Sequence, residues 1–159
     1  MADRDELIAQ LGQTAGALRE LTATADEAAL GFRAAPDDWN IREILAHLVD
    51  DEAFIMRNRL ERIVKEERPH LAPHDEQHWY AHRNTARDGL TEQLGDFSTQ
   101  RAASLGVISL LRADDWQRTG FQPEYGEFTA EAWLGRWLDH DKVHLAQIAA
   151  NLVAFNRQG

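Results

Sequence analysis

Cysteine is missing from this 159-residue chain. Its absence excludes disulfides, thiolate metal ligands and a cysteine nucleophile together. Any metal must be held by nitrogen and oxygen, and any thiol chemistry needs a thiol brought by a substrate or cofactor. An apolar run of membrane-span length is also missing, so no membrane partner is expected. The opening MADRDELIAQ carries acids where a secretory leader needs a basic and then an apolar stretch, and the protein is expected in the cytoplasm. Excess basic charge is lacking too: the formal net charge is −10, and the longest basic cluster, RNRLERIVKEER, is interleaved with acids. A phosphate backbone repels such a surface, so no nucleic-acid partner is expected, and the mixed run reads as a solvated helix face. Glycine-rich phosphate loops, a G-x-S-x-G elbow and H-E-x-x-H are absent.

What is present is helical patterning. The length suits one domain spanning residues 1–159. Leu7, Leu11, Thr14, Leu18 and Leu21 alternate spacings of four and three and share one helix face. Gly31 and Pro36 then break the pattern. A second helix starts at Asn40, an N-cap with Glu43 at the third helical position, and Trp39 and Ile44 are spaced as a hydrophobic staple. It is predicted to run from about Ile41 to about Glu66, with Pro69 and Pro73 in the loop beyond. Leu90, Leu94, Phe97, Leu105, Ile108 and Leu111 mark a third helix, and Gly120 and Pro123 punctuate a long loop after it. Within that loop PEYGEFT reads as extended or turning. Thr129 can cap a last helix running to about Phe155, with Phe128 and Trp133 as its staple. Four long amphipathic helices without a convincing strand predict an all-α four-helix bundle with a long loop between helices 3 and 4.

The buried seam of the last helix holds Trp133, Trp137, His140 and His144. The two histidines are four apart, so both rings project from one face and can grip one metal ion without backbone strain. A third ligand must come from another helix, and His47, on the flank of the second helix's apolar stripe, is the candidate. Three protein ligands would leave a position open, as in catalytic rather than structural zinc sites. Glu43 and Asp51 lie one turn either side of His47 and can accept its second ring N–H, Asp141 can orient ligands from the last helix, and Trp137 can wall the site. The plain alternative is that these rings are satisfied core or boundary residues. His70, His74, His78 and His82 are also four apart, but Pro73 interrupts them, and they read as a solvated loop and short-helix surface.

DDWNIREILAHLVDDE, LLRADDWQRTGFQPEYGEFT and WLGRWLDHDKVHLAQI, in that order and spacing, resemble the DinB-like family of metal-binding four-helix bundles. The resemblance covers roughly residues 36–151. It implies an up-down-down-up bundle, a homodimer, and a metal triad falling on His47, His140 and His144. Relatives include transferases and isomerases that use low-molecular-weight thiols such as bacillithiol or mycothiol. The resulting expectation is a divalent metal, zinc or nickel, that turns an incoming thiol into a thiolate for attack on a small electrophilic substrate. A metal-dependent hydrolase, a non-enzymatic metal-binding stress-response module and a bundle whose histidines bind nothing remain as alternatives.

Overall fold

The structure is a computed structural model describing residues 3–83 and 88–158. Helix α1 spans Arg4–Thr22, and a short α2 spans Glu27–Gly31. The second long helix is continuous from Ile41 to Lys65 in three parts: α3 (Ile41–Asp51), one π-helical turn (Glu52–Met56) and α4 (Arg57–Lys65). A short α5 spans Glu76–His82, α6 spans Leu90–Ser109 and α7 spans Ala130–Asn156. Both predicted caps form. Asn40 and Glu43 make the reciprocal capping box, and Thr129 Oγ1 accepts from the Ala132 N–H at 3.1 Å. Phe128 stacks on Trp133 as the second staple requires. Among the described residues no helix is long and apolar enough to cross a membrane.

Two apolar clusters fill the bundle and fix its topology. One gathers Leu11, Met56, Leu60, Ile63, Ile108, Trp133 and Leu138. The other gathers Leu18, Ile44, Leu45, Leu48, Phe97 and Ile148. The first therefore joins the start of α1, the end of the second long helix, the end of α6 and the start of α7, and the second joins the opposite ends. Helices α1 and α7 run one way and the other two run the opposite way, which is the up-down-down-up order that the family resemblance implies.

One feature departs from the strand-free expectation. The loop between α6 and α7 holds a 3₁₀ turn (Ala113–Gln117) and an antiparallel hairpin of β1 (Thr119–Gln122) and β2 (Gly126–Thr129). Its strands are four residues long, too short for alternation to show in sequence. Its turn chemistry is nevertheless present: the Tyr125 N–H donates to Gln122 O at 3.1 Å, and Gly126 takes φ +74° after it, the residue that such a turn demands. Gly120 lets β1 lie against α4, since a Cβ there would come within 2.9 Å of Ile63 Cγ1. The Pro69–Leu71 segment pairs beside β1, with the Leu71 N–H donating to Phe121 O at 2.7 Å. That pairing turns the chain back toward the bundle and delivers residues 74–82 to the flank of α3. There Trp79 Nε1 and Arg83 Nε both donate to Asp50 Oδ2, at 3.0 and 2.8 Å.

Candidate metal centre

The capping box sets the phase of α3 so that His47 points inward, and the seam of α7 brings His140 and His144 to meet it. His47 Nε2 lies 3.0 Å from His140 Nε2, and His144 Nε2 lies 3.2 Å from the same atom. One ring nitrogen from each residue falls within 4.8 Å of the other two. A tetrahedral ion with metal–nitrogen bonds of about 2.0–2.1 Å would hold its ligand nitrogens about 3.3–3.4 Å apart. The observed separations sit just inside that value.

Protons alone do not satisfy this arrangement. His144 Nδ1 donates to Gln147 Oε1 at 2.8 Å, which leaves Nε2 of the neutral ring as a lone pair. A single N–H on His140 Nε2 can serve His144 or His47, but not both. His140 Nδ1 is buried with no hydrogen-bond partner among the described residues. Burial pushes the His47 pKa down to about 3, with the His144 and His140 rings pushing the same way against the pull of Asp51. Burial, joined by the neighbouring His140, pushes His144 down to about 4. Neutral imidazoles are the form that binds metal. The residues present therefore fit a divalent ion.

Carboxylates complete the cluster. Asp51 is 2% exposed; its Oδ2 lies 3.4 Å from His140 Nε2 and 3.5 Å from His47 Nε2. Burial alone would raise its pKa, but the His140 hydrogen bond and the His47, His140 and His74 charges outweigh burial and hold it below the usual range. Glu76, at the start of α5, brings Oε1 to 3.9 Å from His47 Nε2, and its pKa is raised by burial and by Asp51 beside it. His74 Nε2 lies 3.1 Å from Asp51 Oδ1 without hydrogen-bond alignment. Sequence periodicity could not find His74 or Glu76, because both arrive on a segment folded back by strand pairing. His70, His78 and His82 are exposed, and the last two rings face each other 4.2 Å apart.

Three residues expected around the ligands point elsewhere. Glu43 accepts from both terminal amino groups of Arg33 at 2.6 Å and from the Asn40 N–H at 2.8 Å. Asp141 and Trp137 lie on the flank of the same α7 seam that turns toward α1, α6 and the π-helical turn. There Arg101, 2% exposed, donates to Glu52 at 2.8 and 2.9 Å, to Asp141 at 2.7 and 3.0 Å, and to Leu11 O at 2.6 Å. Trp137 Nε1 donates to Glu52 Oε2 at 2.9 Å, and Thr14 Oγ1 donates to Asp141 Oδ2 at 2.7 Å. Burial works against the Arg101 charge, but its bonds to Glu52 and Asp141 outweigh that and raise its pKa. The tryptophan against His47 is Trp39, with ring centroids 5.0 Å apart.

The cluster opens into a cavity of about 260 Å³ under the hairpin. Asp51, His74, Glu76 and His140 line one part of it, and Arg59, Gln122, Tyr125, Trp133 and Arg136 line another.

An up-down-down-up four-helix bundle with a histidine cluster between its second and last long helices defines the class of protein. The chain belongs to the DinB superfamily, whose profile matches residues 10–148. A protein of Oceanobacillus iheyensis, provisionally named a metal-dependent hydrolase, is 30% identical over 125 residues, which are 70% of this chain and 64% of that protein. The chain thus spans under two thirds of that relative's length. YuaE of Bacillus subtilis is 26% identical over 140 residues, covering 81% of this chain and 86% of YuaE. The solved structure of YfiT from Bacillus subtilis, described as a probable metal-dependent hydrolase with an unusual four-helix bundle topology, superposes with a TM-score of 0.86. It covers 96% of this chain and 87% of YfiT at 19% identity, which establishes likeness of fold.

Proposed function

We propose that this protein is a metal-dependent hydrolase of a small molecule, holding a divalent ion through His47, His140 and His144. The observation that carries the proposal is the convergence of three ring nitrogens, two of the rings held neutral by burial, beside the Asp51 carboxylate at an open cavity. The names given to the Oceanobacillus relative and to YfiT support it. An imidazole-rich site suits zinc or nickel. A divalent ion bound there supplies Lewis acidity and a water nucleophile at neutral pH. Glu76, whose Oε1 lies 3.9 Å from His47 Nε2, would act as the base toward a water activated there. Its raised pKa brings it nearer neutrality, where a general base works best. Asp51, between His74 and the His47 and His140 rings, would balance charge and orient the His140 ring.

Thiol transfer is the second reading, with the same centre and a low-molecular-weight thiol from solution. The absence of cysteine fits it. A thiol near pKa 8.5 ionises readily beside a cation without a protein base, whereas water attack draws on one. The presence of Glu76 therefore favours hydrolysis.

Elemental analysis of the untagged wild type beside His144→Ala tests the site. About one ion per chain, lost in the variant, is the expected result. The loaded protein is then assayed on ester, amide and lactone panels, and separately with thiols and electrophiles. Glu76→Gln should keep the metal and lower hydrolysis by about 100-fold. Conjugation that ignores Glu76→Gln would replace the hydrolase with the transferase. Metal without turnover in either assay would leave a binding module.

A further inference from the structure

The cavity holds a feature that hydrolysis by itself does not use. Arg59 lies in α4, two turns beyond Asp51, and is 7% exposed. One of its amino groups donates to Ala72 O at 2.7 Å, and its guanidinium lies over the Trp133 ring at 5.3 Å from the centroid. No carboxylate among the described residues comes within the 4.0 Å of an ion pair, and no other hydrogen bond of the guanidinium is made there. Its remaining N–H groups are not sealed away from solvent, so the cavity is where they are open. Arg136, on α7, stands at the rim with its guanidinium over Tyr125 at 4.4 Å, again without an ion-pair partner among the described residues.

A buried guanidinium with carboxylates near it but none in ion-pair contact is poorly compensated, and natural cores rarely keep one. Arg101 shows what a structural arginine looks like here: two carboxylates and a carbonyl use its donors. Arg59 has only Ala72 O on its donors and faces the cavity that ends at the candidate metal centre. We infer that Arg59, assisted by Arg136 at the rim, seats an anionic group of the substrate, a carboxylate on a small apolar body, while the bond to be cleaved lies toward His47, His140 and His144. This rests on the hydrolase reading for the second half only. A guanidinium fork matches a carboxylate or a phosphate. Asp51, Glu76, Glu124 and Asp139 also line the cavity, and their negative charge opposes a dianion more than a monoanion. Trp133, Ile55 and Met56 supply apolar wall for the body.

The test titrates full-length protein, metal-loaded and metal-free, with hexanoate, hexanamide and inorganic phosphate, following the Trp133 indole N–H and the Arg59 Nε–H by NMR. Hexanoate should shift both signals, and hexanamide should bind at least tenfold more weakly. Arg59→Met should weaken hexanoate at least tenfold while keeping its metal content. Unliganded Arg59→Met should melt no lower than wild type, because it loses an unpaired buried charge; Arg59→Lys should retain intermediate affinity. Equal binding of hexanoate and hexanamide, a lower melting temperature in Arg59→Met with unchanged hexanoate affinity, or phosphate binding more tightly than hexanoate would overturn the inference. Arg59-dependent hexanoate binding in a protein that takes up no metal would preserve the anion seat and remove the hydrolase. Metal uptake with Arg59-independent binding would do the reverse.

Discussion

Asp51 and Glu52 are neighbours in sequence, as are His140 and Asp141, yet the two members of each pair belong to different chemistries. Asp51 and His140 enter the histidine cluster, where lone pairs converge and a ring nitrogen is left without a partner. Glu52 and Asp141 enter the Arg101 network, where charges cancel and the donors of Arg101, Trp137 and Thr14 are used. Both regions are buried and polar, so burial does not separate them. What separates them is satisfaction. A buried network whose hydrogen bonds are complete locks helices together, whereas one with converging acceptors and a cavity is arranged for something outside the chain. The π turn begins at Glu52, where the helix changes partner from one network to the other.

The largest effect expected from this contrast is on stability. Arg101→Met strands the Glu52 and Asp141 carboxylates in the core, and unfolding in urea should show a loss of about 3–5 kcal/mol. His140→Ala, in the metal-free protein, should change stability by about 1 kcal/mol or less, since that ring's contacts with His47, His144 and Asp51 compete for one Nε2 position and its Nδ1 is already unpaired. Similar losses from the two variants would erase the distinction. The pH dependence of Arg101→Met sharpens it further. Stranded carboxylates have folded pKa values above their unfolded ones, so the variant's deficit should shrink as pH falls and grow as it rises.

The histidine cluster predicts the opposite sign in metal-free wild type. The folded His47 pKa, about 3, lies below its unfolded value of 6.5. The unfolded chain therefore binds more protons between those values, and stability is full above pH 6.5 and declines as pH falls. At pH 5 the His47 ring alone accounts for about 2 kcal/mol of that loss. Urea midpoints measured from pH 7.5 to 5 check this. A flat profile would mean that the rings ionise in place and are not held neutral.

These contrasts were unevenly legible in the sequence. The four long helices announced themselves through caps and apolar periodicity, because Asn40, Glu43 and Thr129 act locally. The meeting of His47 with the α7 pair followed from periodicity within each helix and from the family resemblance. The fate of Asp141 could not be seen, because helical phase says that a residue is buried but not which neighbour buries it. Glu43 lies one turn from His47 in the expected way, yet Arg33, ten residues earlier, claims it. Glu76, His74 and Arg59 depend on a loop returning over the bundle and on a hairpin beside it. Such long-range arrangements leave no periodic trace.

The smallest predicted effect concerns Gln147, exposed on α7 and hydrogen-bonded to the cluster through His144 Nδ1. If the two regions differ as argued, Gln147 belongs functionally to the candidate centre despite lying outside it. Its carbonyl selects the His144 tautomer whose Nε2 offers a lone pair. Gln147→Leu releases that choice, and about tenfold weaker metal affinity should follow, about 1.4 kcal/mol. Gln147→Glu, which still accepts the Nδ1 proton, should restore or exceed wild-type affinity. Competition with a chromogenic chelator reads both, and urea unfolding of the metal-free variants should show little change. Loss of metal-free stability in Gln147→Leu, with unchanged metal affinity, would move Gln147 to the structural side of the comparison.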